Sequence, residues 1–293
     1  MRIAIAGSSG LIGTALVESL RADGHEVLRL VRRDAVAESE VSWDPATGTI
    51  DLNALEGCEA LINLAGAGVG DRRWTAGYKK LILDSRVQST QTIAHAAAVL
   101  NVKVLINASA IGWYGDTGQK SVDELTPAGS GFLADVVVQW EEATDEARRA
   151  GVRVVLARTG LVVSRHGGAW AKLLPIFMAG LGGRLGNGKQ YWSFISLRDE
   201  VSALKFLLTN TIAGPVNLTA PHPATNSEVT RAMGKVFKRP TLFPVPAFAL
   251  KLVLGEFSQE VLGSSRVLPR VLVEHGFTFQ DAEIVNALGT LVK

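Results

Sequence analysis

Seven residues near the start of the chain constrain its fold more than any other feature. Gly7-Ser8-Ser9-Gly10-Leu11-Ile12-Gly13 follows a short apolar run, Ile3-Ala4-Ile5-Ala6. It leads into residues 10–23, where Ile12, Leu16 and Leu20 recur every fourth position. The first pattern suits a buried strand, the second an amphipathic helix that Gly24 ends. Each glycine answers a separate need. Gly7 allows the tight turn, Gly10 lets a pyrophosphate approach the backbone, and Gly13 lets helix pack on strand. The phosphates then face the free N–H groups at the positive end of the helix. The spacing alone is a weak signal. Its strand–loop–helix setting points to a dinucleotide cradle rather than to glycines that serve only a turn.

The same alternation continues. Residues 27–31, 59–64, 102–108 and 152–157 read as further strands, with helical stretches at 76–99 and 132–149 between them. Strands separated by helices imply right-handed crossovers and a parallel sheet covered on both faces. After about residue 160 glycines puncture the chain and prolines gather. A helix at 199–209 with Asp199 as N-cap, a last strand at 216–218, and short helices at 226–237 and 246–254 follow. The expected fold is α/β, a Rossmann-like doubly wound parallel sheet with a small C-terminal α/β substrate lobe. Residues 1–165 would form the dinucleotide-binding domain, 199–218 would return to it, and 166–198 with 219–293 would form the lobe.

Composition narrows the partners. Of 293 residues, 47% are hydrophobic and 20% charged, enough for a sizeable core and inconsistent with wholesale disorder. Thirty basic and 28 acidic residues leave a net charge of +2, which argues for neither a nucleic-acid nor a membrane partner. One cysteine, Cys58, allows no intrachain disulfide and no cysteine-based zinc site, and it suits a reducing, cytoplasmic setting. The N-terminal apolar run breaks at Gly7, too early for a signal peptide, and no apolar stretch is long enough for a transmembrane helix. His25, His95, His222 and His275 are scattered, so no metal site is expected. The expected partner is a small-molecule substrate, with a homodimer among the assemblies the sequence allows.

The second strand bears on the cofactor. An NAD site of this type usually has Asp or Glu at the end of that strand, bonded to the ribose 2′-hydroxyl. Here it ends Val31-Arg32-Arg33, with Asp34 only afterwards. A guanidinium suits a 2′-phosphate, so NADP(H) is expected, with Arg32 as its ligand. Arg33 reads equally as a second phosphate ligand or as a solvated surface charge.

At Asn63-Leu64-Ala65-Gly66 a family resemblance becomes plain. The chain resembles an extended short-chain dehydrogenase/reductase of the NAD-dependent epimerase/dehydratase superfamily. More narrowly, it is similar to the atypical "epimerase family protein" subgroup with a C-terminal domain of unknown function. Arg72-Arg73-Trp74, Asp84-Ser85-Arg86, Ser109-Ala110-Ile111-Gly112-Trp113-Tyr114-Gly115, Arg158-Thr159-Gly160 and Val267-Leu268-Pro269 carry the match, in order along essentially the whole chain. The resemblance implies about seven parallel strands and an NADP site. It implies that Gly7, Gly10, Leu11, Ile12 and Gly13 wrap the pyrophosphate and that Leu64 and Ala65 lie on the adenosine side. Asn63 would stabilise the sheet, Arg86 would contact the cofactor, and Val162 would lie near the nicotinamide. Ala67 and Ser196 stand where relatives often carry Glu and His; the latter is expected to alter only a strand-to-helix cap.

One expected feature is missing. Typical members place Tyr-x-x-x-Lys on one helix face, where the lysine lowers the phenol pKa for acid–base work. Four residues after Tyr78, Tyr114 and Tyr191 stand Ile82, Gly118 and Ile195, so no such motif exists. Its loss costs about 10²- to 10⁴-fold unless another group substitutes. Ser109, at the end of the strand that normally delivers a catalytic serine, and Tyr114, the nearest phenol, are the candidate catalytic residues. For Ser109 the alternative is a local backbone cap, and for Tyr114 aromatic packing. Asp116, Asp135 and His166 are weaker catalytic candidates; Asp135 and Glu141 are expected as helix-surface charges, and His166 on a flexible glycine loop rather than in catalysis. Trp113, Trp170, Phe177, Met178, Trp192 and Phe194 read either as an apolar pocket wall or as lobe core. Residues 180–188 read as a lid or as a plain loop. Two functions follow: an NADP-dependent oxidoreductase or epimerase acting on an unknown small molecule, or a catalytically weak NADPH-sensing regulatory protein.

Overall fold

The computed structural model describes residues 1–292. Eight strands form the main sheet: β1 (Arg2–Ala6), β2 (Glu26–Val31), β3 (Glu40–Asp44), β4 (Thr49–Ile50), β5 (Ala60–Asn63), β6 (Val104–Ala110), β7 (Arg153–Thr159) and β8 (Gly214–Leu218). Their spatial order is β8-β7-β6-β5-β1-β2-β3-β4. Seven are parallel, as the family resemblance implies, and only the two-residue β4 runs antiparallel, on β3. The order reverses at β1, which places the glycine loop at the switch point where doubly wound sheets bind ligands.

Both faces of the sheet are covered because alternate residues point opposite ways. Ile3, Ile5, Ile62, Ile106 and Val155 pack under α1 (Leu11–Ala22) and, further along the chain, under Leu204 and Leu207 of residues 197–209. Ala4, Leu28, Leu61, Leu105 and Leu156 pack on the other face. Their partners are α2 (Ala76–Leu100), α3 (Phe132–Glu142) and α4 (Asp145–Arg149). The stretch read as one helix at 132–149 is thus two helices. Thr144, at the break, donates its hydroxyl back to the Glu141 carbonyl at 2.7 Å, which competes with the helical ladder.

The lobe holds α5 (Gly168–Met178), α7 (Asn226–Phe237) and α8 (Ala247–Leu254), while α6 (Leu197–Thr209) and β8 lie in the main layers. Helix α5 is absent from the sequence reading, since a glycine N-cap and the internal Pro175 hide it. Asp199 is not the cap of α6. Ser196 is, accepting the Asp199 N–H at 3.2 Å, and the Asp199 carboxylate instead accepts the N–H groups of Gln280 and Asp281. Among the described residues no helix is long and apolar enough to cross a membrane, and no cluster of His, Cys, Asp or Glu could hold a metal.

Candidate functional site

The glycine loop is built for close approach. Gly7 has φ +72, and a Cβ there would stand 2.6 Å from the Leu64 carbonyl carbon. A Cβ on Gly13 would stand 2.2 Å from the Gly7 carbonyl oxygen. Neither position accepts a side chain without moving backbone. Gly10 differs: only the Gly7 oxygen, at 3.3 Å, lies near its missing Cβ, so its outer side is open. Gly10 is also the N-cap of α1, with no side-chain cap and no acid in the first turn. The N–H groups at Leu11 and Ile12 therefore keep their positive end for an anion. The residues present fit a dinucleotide pyrophosphate. Leu64 and Ala65 border the loop directly, with the Leu64 N–H on the Ala6 carbonyl at 3.0 Å.

The two arginines after β2 are not equivalent. Arg33 is held by both Glu40 oxygens at 2.7 and 2.8 Å, and this bond depresses the Glu40 carboxyl to about 2. Arg32 is exposed and has neither an ion-pair nor a hydrogen-bond partner among the described residues. The Arg33 guanidinium is thus engaged by a buried acid of β3 while its side chain stays half exposed. Both arginines line an open hollow shared with Asp34, Ser42 and Asp44.

Beyond β5 a buried polar cluster ties the central strands β5 and β6 to α2 and α3. Asn63 donates to the Asn107 side-chain oxygen at 2.8 Å and to Thr90 at 3.0 Å, and Trp140 also donates to Thr90. Arg86 stacks on the Trp140 ring at 5.0 Å and donates to the carbonyls of Ala67 and Ile82. Burial lowers its pKa to about 10, and no carboxylate pairs with it among the described residues. A cation so placed, beside the loop after Leu64, suits an anionic or strongly polar ligand.

The missing Tyr-x-x-x-Lys leaves α3 with Leu133 and Val137 on the face nearest Gly112. In its place runs a buried polar ladder. Ser109 donates to Glu141 at 2.5 Å, and Glu141 takes Arg158 bidentately, with both bonds at 2.8 Å. Arg158 stacks on Trp113 at 3.9 Å and donates to the Tyr114 hydroxyl, which donates to Asn217 on β8. Glu141 is therefore not a helix-surface charge. Its side chain is 6% exposed, because Arg158 on β7 supplies the partner that lets a carboxylate stay buried. Asp135, by contrast, is exposed. Ser109 and Tyr114 come together in one network, yet both are buried and both hydroxyls are engaged. Burial pushes the Tyr114 phenol up to about 12, the reverse of what an activating lysine does.

The lobe aromatics pack in its core, and two of them, Phe177 and Trp192, also line an apolar cavity with Leu173 and Met233. Trp170, Phe177, Trp192 and Phe194 belong to the lobe core, Met178 is exposed, and Trp113 caps Arg158. Residues 180–188 are no free lid: Gly186 donates to Val245, Phe243 donates to Gly182, and a Cβ on Gly183 would stand 2.0 Å from the Phe243 oxygen. Val162 pairs with Ile195 on the strand Phe194–Ser196. The start of α5 reaches the cradle, since Gly167 would place a Cβ 3.6 Å from the Leu11 side chain. His166, just before it, is anchored through its N–H to Ser164.

Comparison with known proteins agrees with this geometry. The profile of the NAD dependent epimerase/dehydratase family matches residues 3–219, and that of a domain of unknown function (DUF1731) matches residues 245–291. Epimerase family protein Mb2239 of Mycobacterium bovis is 47% identical over 289 residues, 98% of this chain and 96% of that protein. The crystal structure of human epimerase family protein SDR39U1 with NADPH superposes with a TM-score of 0.90 at 30% identity, covering 99% of each chain. A nucleoside-diphosphate sugar epimerase from Corynebacterium glutamicum gives 0.83 at 32% identity, covering 99% of this chain and 57% of that one. Cradle, sheet order and sequence point the same way: the chain belongs to the NAD dependent epimerase/dehydratase family, with the DUF1731 domain at its C-terminal end.

Proposed function

We propose that the protein binds NADP(H) at the C-terminal edge of the sheet and acts on a small molecule as an oxidoreductase or epimerase. The observation that carries this reading is the open Gly10 side of an uncapped helix beside an unpaired Arg32. The human relative solved with NADPH supports the choice of cofactor. Leu11 and Ile12 would hold the pyrophosphate through their N–H groups, Arg32 the 2′-phosphate, Leu64 and Ala65 the adenosine side, and Val162 the nicotinamide side. Arg86 would flank the cofactor. When bound, the nicotinamide supplies hydride chemistry. Ser109 would polarise a carbonyl once its hydroxyl turns from Glu141, with Tyr114, turned from Asn217, as the other candidate.

A second reading is a regulatory NADPH-binding protein. The engaged, buried hydroxyls of Ser109 and Tyr114, with the phenol pushed up to about 12, favour it. Stereospecifically deuterated NADPH, a metabolite extract and the purified protein separate the two. Deuterated products that appear with the natural chain and vanish with Gly10→Trp establish turnover. NADPH binding that Gly10→Trp abolishes, with no deuterated product, favours the sensor. NADPH binding that Gly10→Trp leaves unchanged sinks the assignment of the cradle.

A further inference from the structure

One buried carboxylate organises the whole connection from β2 to β3. Glu40 opens β3, and its side chain is 5% exposed. Besides Arg33 it accepts the Val36 N–H at 3.1 Å and lies 3.9 Å from the Arg29 guanidinium. Arg29 in turn donates to the Ser8 hydroxyl of the glycine loop at 3.3 Å. Ser42 closes the other side, accepting from the Ala35 N–H and donating to the Arg33 carbonyl. Strand β2, residues 32–39, β3 and the glycine loop are thus tied through Glu40. Of the three arginines here, Arg29 and Arg33 are engaged and Arg32 has no hydrogen-bond or ion-pair partner among the described residues.

A guanidinium gripped bidentately by a buried acid has spent much of its charge and several of its donors. Its unpaired neighbour keeps both. We infer that Glu40 is a positioning residue for cofactor choice: it withdraws Arg33, and fixes residues 32–39 so that Arg32 is the guanidinium presented to the adenosine 2′-phosphate. This rests on the NADP(H) reading above. Charge and position pull in opposite directions here, which makes the idea testable. Glu40→Gln adds net positive charge near the phosphate, so long-range electrostatics alone would tighten NADPH. Loss of positioning would weaken it.

The test is equilibrium titration of NADPH and NADH against the natural chain, Arg32→Ala, Glu40→Gln and the double variant, with melting temperature as the folding control. Arg32→Ala is expected to weaken NADPH about tenfold or more and NADH less than twofold, in line with loss of a charge-assisted bond. Glu40→Gln is expected to weaken NADPH about five- to tenfold with NADH again within twofold, and the double variant to match Arg32→Ala. Unchanged or tighter NADPH binding in a folded Glu40→Gln overturns the proposal, as do losses that multiply in the double variant. If Arg32→Ala weakens both nucleotides equally, the phosphate assignment itself fails, and the role of Glu40 with it. Should Glu40→Gln not fold, Glu40→Asp keeps the charge but draws it back by one methylene. The same phosphate-selective loss is then expected, and its absence overturns the proposal.

Discussion

Removing the Glu141 carboxylate would leave the Arg158 guanidinium charged, 3% exposed and without its bidentate partner. Breaking a buried pair from one side costs about 3–5 kcal/mol, because the remaining charge keeps its desolvation penalty. Glu141→Ala should therefore be among the most destabilising single changes in the chain, as read by denaturant unfolding. Tyr114→Phe should cost less, about 1–3 kcal/mol, since it strands the Asn217 oxygen and one Arg158 donor but no net charge. NADPH affinity should change less than twofold in Tyr114→Phe if the hydroxyl serves the ladder and not the cofactor. A folded Tyr114→Phe that loses NADPH binding would place that phenol in the cleft after all.

The glycine loop shows how far one element can be read before its structure is known. Gly10 has φ −76 and open space on one side, so Gly10→Ala should change stability by less than about 1 kcal/mol while weakening NADPH about tenfold. Gly13→Ala would drive a methyl against the Gly7 carbonyl and should cost about 1–3 kcal/mol of folding stability, whatever it does to binding. Unfolding curves and NADPH titrations on the two variants check the contrast, and equal stability losses would refute it. That loop was legible because its requirements are local: turn, helix start and packing all fall within seven residues. Strands β1, β2 and β5 and helix α7 were legible for the same reason, each having its own periodicity. Strand β3 was not, since Glu40–Asp44 is ordered by pairing with β2 and not by an apolar run of its own. Glu40 and Glu141 were hidden more deeply. Glu141, on a helix, reads as surface until the fold brings Arg158 from β7 against it, and Glu40 reads as a loop charge until the 32–39 connection folds Arg33 back onto the start of β3.

Across the whole molecule, two populations of acids set opposite pH responses. Arg33 holds Glu40 at about 2, against an ordinary 4.5, so its contribution is present above about pH 4.5 and is lost as pH falls towards 2. Glu200 behaves the other way. It lies on α6, 1% exposed, with Thr159 donating to one oxygen at 2.8 Å and nothing bonded to the other. No cation faces it in an ion pair among the described residues, and burial raises its carboxyl to about 8. Between about pH 4.5 and 8 the unfolded chain has released this proton while the folded chain retains it. Stability should therefore fall as pH rises through that window, by at most about 1.4 kcal/mol per unit, and then level off. Burial also raises Glu124, whose second oxygen is likewise unbonded, and adds to the same trend. The fold should thus be more stable near pH 5 than near pH 8. Glu200→Gln keeps an acceptor for Thr159 and removes the proton from the balance. Denaturant unfolding at pH 5 and pH 8 should show a large difference for the natural chain and a much smaller one for Glu200→Gln. An equal difference in both would mean that Glu200 ionises without cost in the folded protein, and that its burial is relieved by a partner from solvent or ligand.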